Sequence, residues 1–300
     1  MLILCYHNVV NSPLDEFDRK SSRIHVDEFA EQMREVAREF HPISLEAMLS
    51  MLRDGKTDPK AVAVTFDDGF YGVVAHALPA LKDLKIPATI FVVTDYVRQP
   101  GQSRLMHFDE MEIAFRLTSA SSLDLGFIGE RAVSLRSTRA KIDGMKRVKR
   151  RLKLVPDAER QRFHQEVLTG LGVKPQQALT YAESKEKYRT VTWEELRGAK
   201  DAGLSAGSHT CSHRVLSRLD GSDLEHEVLH SLARLREEID ADFLPFAYPY
   251  GSLESIGTET PALVRQAGFS CGLTTEQGSN TPDLDHFLLR RVGFESLRSS

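Results

Sequence analysis

Uninterrupted apolar runs, rich in β-branched residues, recur along this chain between amphipathic stretches. Residues 61–66 read AVAVTF and residues 88–93 read ATIFVV. Runs of this kind are typical of strands that are covered on both faces, as in a parallel sheet with helices packed on either side. A sheet with one wet face would instead show alternating polar residues. The pattern therefore predicts an α/β protein with a mostly parallel sheet.

Helix signals alternate with further strand signals. Thr192 with Glu195, and Ser222 with Glu225, have the spacing of capping boxes and predict two helix starts. Pro79 must kink or shorten the helix predicted after the strand at 61–66. The remaining strands are predicted at 2–6, 204–208, 245–251, 269–275 and 287–294. Repeated strand-then-helix units form an open sheet or a closed barrel, and functional side chains gather at the carboxyl ends of the strands in both.

One long segment interrupts this alternation. Residues 104–189 have helical patches and few strand signals, so we predict a helical insertion within a single domain that covers residues 1–300. The insertion contains a basic segment, residues 136–153, whose apolar residues recur at helical spacing. Its simplest interpretation is a helix packed on the core with a solvated outer face. A second is contact with phosphate groups of a lipid-linked glycan or of the inner leaflet.

Charge and cysteine content limit the partners and the compartment. The net charge of −4 gives no general attraction to nucleic acid, so no nucleic-acid partner is expected. Cys5, Cys211 and Cys271 are far apart and odd in number, which favours free thiols in a reducing compartment. The N-terminal stretch MLILCYHNVV looks like a buried strand and not a secretory signal. We therefore expect a cytoplasmic protein, with peripheral contact at the inner membrane as the alternative.

Two adjacent carboxylates follow one of the buried strands. The sequence TFDDG places Asp67 and Asp68 directly after residues 61–66. Like charges this close raise one another's pKa unless a cation intervenes, and a divalent metal would supply that cation. Asp-Gly is also common turn chemistry, so the pentapeptide alone leaves a turn and a site open.

Two histidines follow another predicted strand. In SHTCSH, His209 and His213 are four residues apart, so on a helical turn both imidazoles would reach one ion. Cys211 would point away from them on a helix and is not counted as a ligand, although an irregular backbone would weaken that exclusion. Together with an Asp, the pair makes an O,N,N ligand set that is typical of hydrolytic zinc-like centres. One carboxylate can bind the metal while the other takes a proton from the attacking water.

Three motifs together resemble a known family. TFDDG, SHTCSH and FAYPYG, in this order, are similar to the leading motifs of the polysaccharide deacetylases, carbohydrate esterase family 4 with its NodB-homology domain. The resemblance covers residues 60–103 and 190–292. It implies a distorted (β/α) barrel and the removal of acetyl groups from glycans with one divalent metal, with Zn as the first candidate.

The resemblance also assigns roles. Asp67 corresponds to the catalytic base, and Asp68, His209 and His213 correspond to the metal ligands. Tyr250 corresponds to the residue whose backbone N–H helps to hold the oxyanion.

The chain departs from the family pattern at one of these motifs. Many members have an arginine that contacts the base where this chain has Ala247. Arg291 is the candidate replacement, because the strand ends of a barrel converge, and we place it with Tyr250 among the substrate-side residues. A surface ion pair is the alternative role for Arg291.

A second departure concerns the general acid. The Leu-x-His element expected near the end of the domain is missing, whereas LCYHN near the start is similar to a circularly permuted subgroup, the poly-N-acetylglucosamine deacetylases. A closed barrel tolerates this permutation because its first and last strands are neighbours. His7 is therefore predicted to protonate the leaving amine, and a purely structural histidine is the alternative.

The leading functional prediction is a metal-dependent hydrolase that removes N-acetyl groups from a glycan or a lipid-linked sugar. A deacylase or deformylase of a small non-glycan amide would have the same motifs. A catalytically silent glycan-binding domain is the alternative from another class, which Ala247 keeps open and the complete Asp-His-His set disfavours.

Overall fold

The computed structural model describes residues 1–18, 22–99 and 104–299. Its strands are β1 (Leu2–Tyr6), β2 (Asn8–Val10), β3 (Arg23–His25), β4 (His41–Pro42), β5 (Ala61–Phe66), β6 (Ala88–Val92), β7 (Ser122–Leu123), β8 (Val133–Ser134), β9 (Leu204–Ser208), β10 (Phe246–Ala247) and β11 (Gly272–Leu273). Its α-helices are α1 (Val26–Glu39), α2 (Leu45–Arg53), α3 (Leu78–Asp83), α4 (His107–Leu117), α5 (Thr138–Leu152), α6 (Asp157–Leu171), α7 (Pro175–Glu183), α8 (Trp193–Ala199), α9 (Gly221–Glu238), α10 (Leu253–Ile256) and α11 (Thr260–Ala267).

A curled parallel sheet with the strand order β1-β5-β6-β9-β10-β11 forms the centre of the protein, and β4 adds to β5. Strands β5 and β6 are buried along their whole length, as their continuous apolar sequences predict. Parallel bridges join Leu289 to Leu273 of β11 and Val292 to Leu4 of β1. The segment 289–292 thus connects the two edges of the sheet. The prediction of a distorted (β/α) barrel is confirmed.

The strands near the C-terminus are shorter than predicted. Only β10 forms within residues 245–251, because Tyr250 and Gly251 have φ values of 62° and 71° and turn the chain away from an extended path. Only β11 forms within residues 269–275. Residues 287–294 make the two isolated bridges rather than a regular strand, so their side chains cannot be assigned by strict alternation.

Of the two helix starts predicted from capping boxes, one is confirmed and the other is wrong. The capping box of Thr192 and Glu195 is present at the start of α8. Helix α9 instead begins after Asp220, whose side chain accepts the N–H of Asp223 at 2.9 Å, so the predicted cap at Ser222 is wrong. Pro79 lies in the first turn of α3, after a π-helical turn, where its missing N–H leaves no hydrogen bond unmade.

Between β6 and β9 lies the segment that the sequence analysis describes as a helical insertion. It contains α4 to α7 and a short antiparallel ladder of β7 and β8, which the sequence analysis did not predict. Its apolar side chains, among them Phe115, Val148 and Phe163, form a cluster separate from the barrel core. The apolar stripe of α5 is buried in that cluster, which leaves the cations of the basic segment on its other faces.

The three cysteines are free thiols, and Cys211 and Cys271 are buried. Within the described ranges, no helix is both long enough and apolar enough to cross a bilayer.

Candidate active site

The predicted site residues meet where the carboxyl ends of neighbouring strands converge. Tyr6 pairs with Phe66 in the β1–β5 ladder, so His7 and Asp67 leave the sheet side by side. Val92 pairs with Ser208 in the β6–β9 ladder, and His209 follows directly. Parallel strands place their ends on one rim, which is why residues distant in the sequence share this site.

The three predicted metal ligands lie together. Asp68 Oδ1 is 3.3 Å from His213 Nε2 and 3.6 Å from His209 Nε2. Their candidate ligand atoms all lie within 4.8 Å of one another, and all three side chains are buried. Asp68 Oδ1 has no hydrogen-bond partner among the described residues. A buried carboxylate oxygen left without a donor between two imidazoles fits the oxygen and nitrogen ligand set of a divalent metal.

A backbone contact fixes the orientation of one imidazole. His209 Nδ1 is 2.7 Å from the carbonyl oxygen of Ala247, so a proton on Nδ1 donates to that carbonyl and the Nε2 lone pair faces Asp68. Burial lowers the pKa of His209 to about 4, which keeps the ring neutral at physiological pH. A neutral ring is the form that binds a metal. Ala247 therefore contributes through its carbonyl group, which any residue would supply.

The predicted helical turn from His209 to His213 is wrong. Residues 209–213 form an irregular loop in which Thr210 and His213 have φ values of 68° and 61°. The hydroxyl oxygen of Thr210 accepts the N–H of His213 at 3.0 Å and stabilises this loop. Even on this backbone, Cys211 lies apart from the triad, because its Sγ contacts the carbonyl oxygen of His226 at 3.6 Å.

The candidate base is held by a buried arginine. Two nitrogens of Arg291, Nη1 and Nη2, donate to Oδ1 and Oδ2 of Asp67, each at 2.7 Å, and Nε donates to the Thr274 carbonyl at 2.8 Å. Burial raises the pKa of Asp67, but the Arg291 guanidinium and the nearby His209 together lower it by more, so the pKa lies well below its usual range. Arg291 is 0% exposed and therefore contacts the base rather than a substrate, unlike its predicted place beside Tyr250.

His7 is half-buried and faces the same cavity as Asp67 and the triad. Its Nδ1 is buried and has no hydrogen-bond partner in the described ranges. The thiol of Cys5 approaches Asp67 Oδ2 at 3.7 Å, and burial raises the pKa of this thiol to about 12. Cys5 is therefore a protonated neighbour and not a competing nucleophile.

Tyr250 forms part of the wall beside the triad. Its ring centroid is 5.0 Å from that of His213, and its carbonyl oxygen accepts the Thr275 hydroxyl at 2.9 Å. No acceptor among the described residues takes the Tyr250 backbone N–H. Tyr250 has a φ of 62°, a strained backbone conformation of the kind that is concentrated at functional sites. We therefore expect its backbone N–H to donate into the site.

The sequence analysis missed His107. This histidine begins α4 in the insertion, and its Nε2 lies 3.0 Å from the hydroxyl oxygen of Tyr250. Burial, with a further effect from Arg160, lowers the pKa of His107 well below its usual value, so the ring is neutral. No motif surrounds His107 in the sequence, and only the packing of the insertion against the barrel brings it to the site.

These groups share one cavity of about 490 Å³ between the barrel rim and the insertion. Asp67, Asp68, His209 and His213 lie on the barrel side, while α4, α5 and α6 supply the other walls. The volume is in the range of small-molecule and cofactor sites and exceeds what an acetyl group alone would fill.

A polysaccharide deacetylase family model matches residues 54–148 and 156–272, which is more than half of the chain. The protein belongs to the polysaccharide deacetylase family. None of the curated proteins matches the chain in sequence.

Several solved structures share the fold. The Streptococcus pyogenes deacetylase PplD, in complex with acetate, has a TM-score of 0.63 at 17% identity, over 100% of this chain and 96% of PplD. IcaB from Ammonifex degensii has a TM-score of 0.62 at 21% identity, over 99% of this chain and 95% of IcaB. The BpsB deacetylase domain from Bordetella bronchiseptica has a TM-score of 0.58 at 16% identity, over 97% and 94%.

Proposed function

We propose that the protein is a metal-dependent deacetylase that removes the N-acetyl group from a glycan or a lipid-linked sugar. The observation that carries the proposal is the buried Asp67 carboxylate, held by Arg291 next to the Asp68, His209 and His213 triad. Family membership supports a polysaccharide rather than a small amide as the substrate class. A silent binding domain would not need this ion pair beside a complete ligand set.

Asp68, His209 and His213 are the residues that would hold the metal. A bound divalent ion, with Zn as the first candidate, would polarise the acetyl carbonyl and make an attacking water more acidic. Every remaining part of the reaction is assigned to groups of the chain itself.

Asp67 accepts the proton of the attacking water, because it is ionised and lies beside the triad. Arg291 fixes both oxygens of Asp67 and so keeps the base in one orientation. The Tyr250 N–H donates to the oxygen of the acetyl carbonyl as negative charge develops on it. His7, which faces the same cavity, donates a proton to the departing amine, a poor leaving group unless it is protonated.

The cellular location remains a prediction. The free thiols of Cys5, Cys211 and Cys271 support the proposal of a cytoplasmic protein.

The proposal is tested by metal analysis and by acetate release from a panel of N-acetylated glycans and lipid-linked sugars. We expect one divalent ion per chain in the wild type. Asp67→Asn should keep that ion and lose about 10²–10⁴-fold in turnover, the usual contribution of a general base. Asp54→Asn, an exposed carboxylate far from the site, is the matched control and should behave as wild type. Wild-type turnover in Asp67→Asn would show that the base lies elsewhere.

A further inference from the structure

One face of α5 lines the cavity with cations. Lys146, Lys149 and Arg150, and Lys153 just after the helix, all border the cavity that contains the triad. Their spacing of three, four and seven residues places them on one side of the helix, along about 10 Å of its axis. We call these four residues the basic wall.

Three other cations of α5 have structural partners. Arg139 pairs with Asp143 at 3.0 Å, Lys141 donates to the Thr118 carbonyl at 2.7 Å, and Arg151 donates to the Ile128 carbonyl at 2.9 Å. By contrast, neither Lys146 nor Arg150 forms a salt bridge with residues 1–18, 22–99 or 104–299. Lys149 has both roles, because it borders the cavity and its ammonium also donates to the Phe108 carbonyl at 2.8 Å.

The carboxylates of the cavity are already engaged. Arg23 binds Asp109 at 3.0 Å and Glu112 at 2.8 Å, and Asp67 is bound by Arg291. Asp68 belongs to the metal triad. Among the described residues, the carboxylates that share the cavity thus leave the charges of Lys146 and Arg150 unpaired, and these charges favour an anion from outside the protein.

The basic wall reaches the triad through Tyr250. The Lys153 ammonium lies 4.2 Å from the centroid of the Tyr250 ring, and that ring lies 5.0 Å from the ring of His213. A sugar whose acetyl group reaches the triad would place its neighbouring substituents against these cations. A neutral glycan offers them hydroxyl and carbonyl acceptors but no opposite charge.

We propose that the basic wall binds a phosphoryl group of the substrate, so that the acetylated sugar is presented as a sugar phosphate or in a diphosphate linkage. A single carboxylate has two oxygens and one charge, whereas phosphoryl groups offer more acceptor oxygens and up to two charges for a row of cations. The choice of substrate rests on the proposed deacetylase function, but the binding of the phosphoryl group does not.

The test compares calorimetric binding and acetate release for N-acetylglucosamine and N-acetylglucosamine 1-phosphate on the metal-loaded protein. We expect the wild type to bind the phosphorylated sugar at least about tenfold more tightly, since each solvent-accessible ion pair increases the affinity by up to about fivefold.

Lys146→Gln combined with Arg150→Gln should reduce this preference about tenfold. Both side chains are exposed, so the double variant should fold. Arg139→Gln combined with Arg147→Gln removes the same charge from α5 outside the cavity and should keep the preference.

The possible outcomes distinguish the basic wall proposal from the proposed deacetylase function. Equal binding of both sugars, or a preference that persists in the double variant because phosphate binds the metal itself, overturns the basic wall proposal. A stronger preference for a sugar bearing a uronate also overturns it. Phosphate-dependent binding without acetate release from any substrate supports the basic wall and rejects the deacetylase function. A polyprenyl-diphosphate-linked N-acetylglucosamine in detergent identifies the source: preference for it over the soluble sugar phosphate indicates a lipid-linked substrate.

Discussion

At the scale of single residues, the left-handed backbone conformations of residues other than glycine are concentrated in the motifs. Asp68, Thr210, His213 and Tyr250 all have positive φ, which is unfavourable for residues with a side chain and amounts to about 1–3 kcal/mol each. At Asp68 the turn lets two adjacent carboxylates face different partners, Arg291 for Asp67 and the imidazoles for Asp68. The backbone strain therefore accompanies the division of roles between the two aspartates.

Arg291→Gln should impair both stability and turnover. It leaves the buried Asp67 carboxylate without its cation, which typically reduces the free energy of unfolding by about 3–5 kcal/mol. Arg291→Lys keeps the charge but loses the two-point contact, so we expect a smaller loss of stability and partial recovery of kcat. Urea unfolding and kcat at constant metal content measure the two effects. Equal kcat in all three proteins would show that the arginine does not position the base.

His7→Ala should preserve metal content and depress turnover on N-acetyl sugars more than on activated acetate esters. The reason is that an amine leaves only when protonated, whereas the leaving group of an activated ester needs no proton. The ratio of kcat/KM on the two substrate types is the measurement. Equal losses on both would remove His7 from proton transfer and favour a structural role.

At the scale of elements, the helix starts show how local and tertiary signals compete. Asp220 and Ser222 are both good N-cap residues, and the sequence offers each a partner three residues later. The structure uses Asp220, and Ser222 lies inside the first turn, where its hydroxyl donates to Asp220 Oδ1 at 2.9 Å. The apolar residues of α9, among them Leu224, Val228 and Leu232, are buried in the barrel core.

Asp220→Ala should reduce the free energy of unfolding by about 1 kcal/mol, because it removes the acceptor for an N–H of the first turn. Ser222→Ala is the matched control, two residues further on, and should have a smaller effect. Chemical denaturation of the two variants measures the difference. A larger loss for Ser222→Ala would indicate that the cap is the one predicted from sequence.

At the scale of the whole molecule, the barrel brings together the ends of strands that are distant in sequence. The triad joins the loop after β5 to the loop after β9, and Arg291 joins the closing segment to β5. A metal bound by the triad would hold these parts together in the folded state only. The stability of the protein and the occupancy of its site should therefore be linked.

Removal of the metal by a chelator should lower the Tm. At a free metal concentration of 100 times Kd, binding stabilises the folded state by about 2.7 kcal/mol, which corresponds to a rise in Tm of roughly 4 °C for a protein of this size. Asp68→Asn should abolish the difference between loaded and chelated protein, while the exposed control Asp54→Asn should retain it. Thermal melts with and without zinc measure the shift, and an identical Tm in both conditions would argue against this metal site.

The sequence by itself determined the fold class and the residues of the candidate metal triad. Continuous apolar runs predict buried parallel strands because such strands have no wet face, and polar residues that directly follow them must lie on one rim. These signals are local in the chain, so TFDDG and SHTCSH could be interpreted without coordinates.

Only the tertiary structure decided how the site is completed. It placed Arg291 on Asp67 through a closing segment that is not a regular strand, and it brought His107 to Tyr250 from the insertion. It also turned one face of α5 towards the cavity. These contacts join residues far apart in sequence, and their geometry depends on how the insertion and the closing segment pack, which no local pattern of residues encodes.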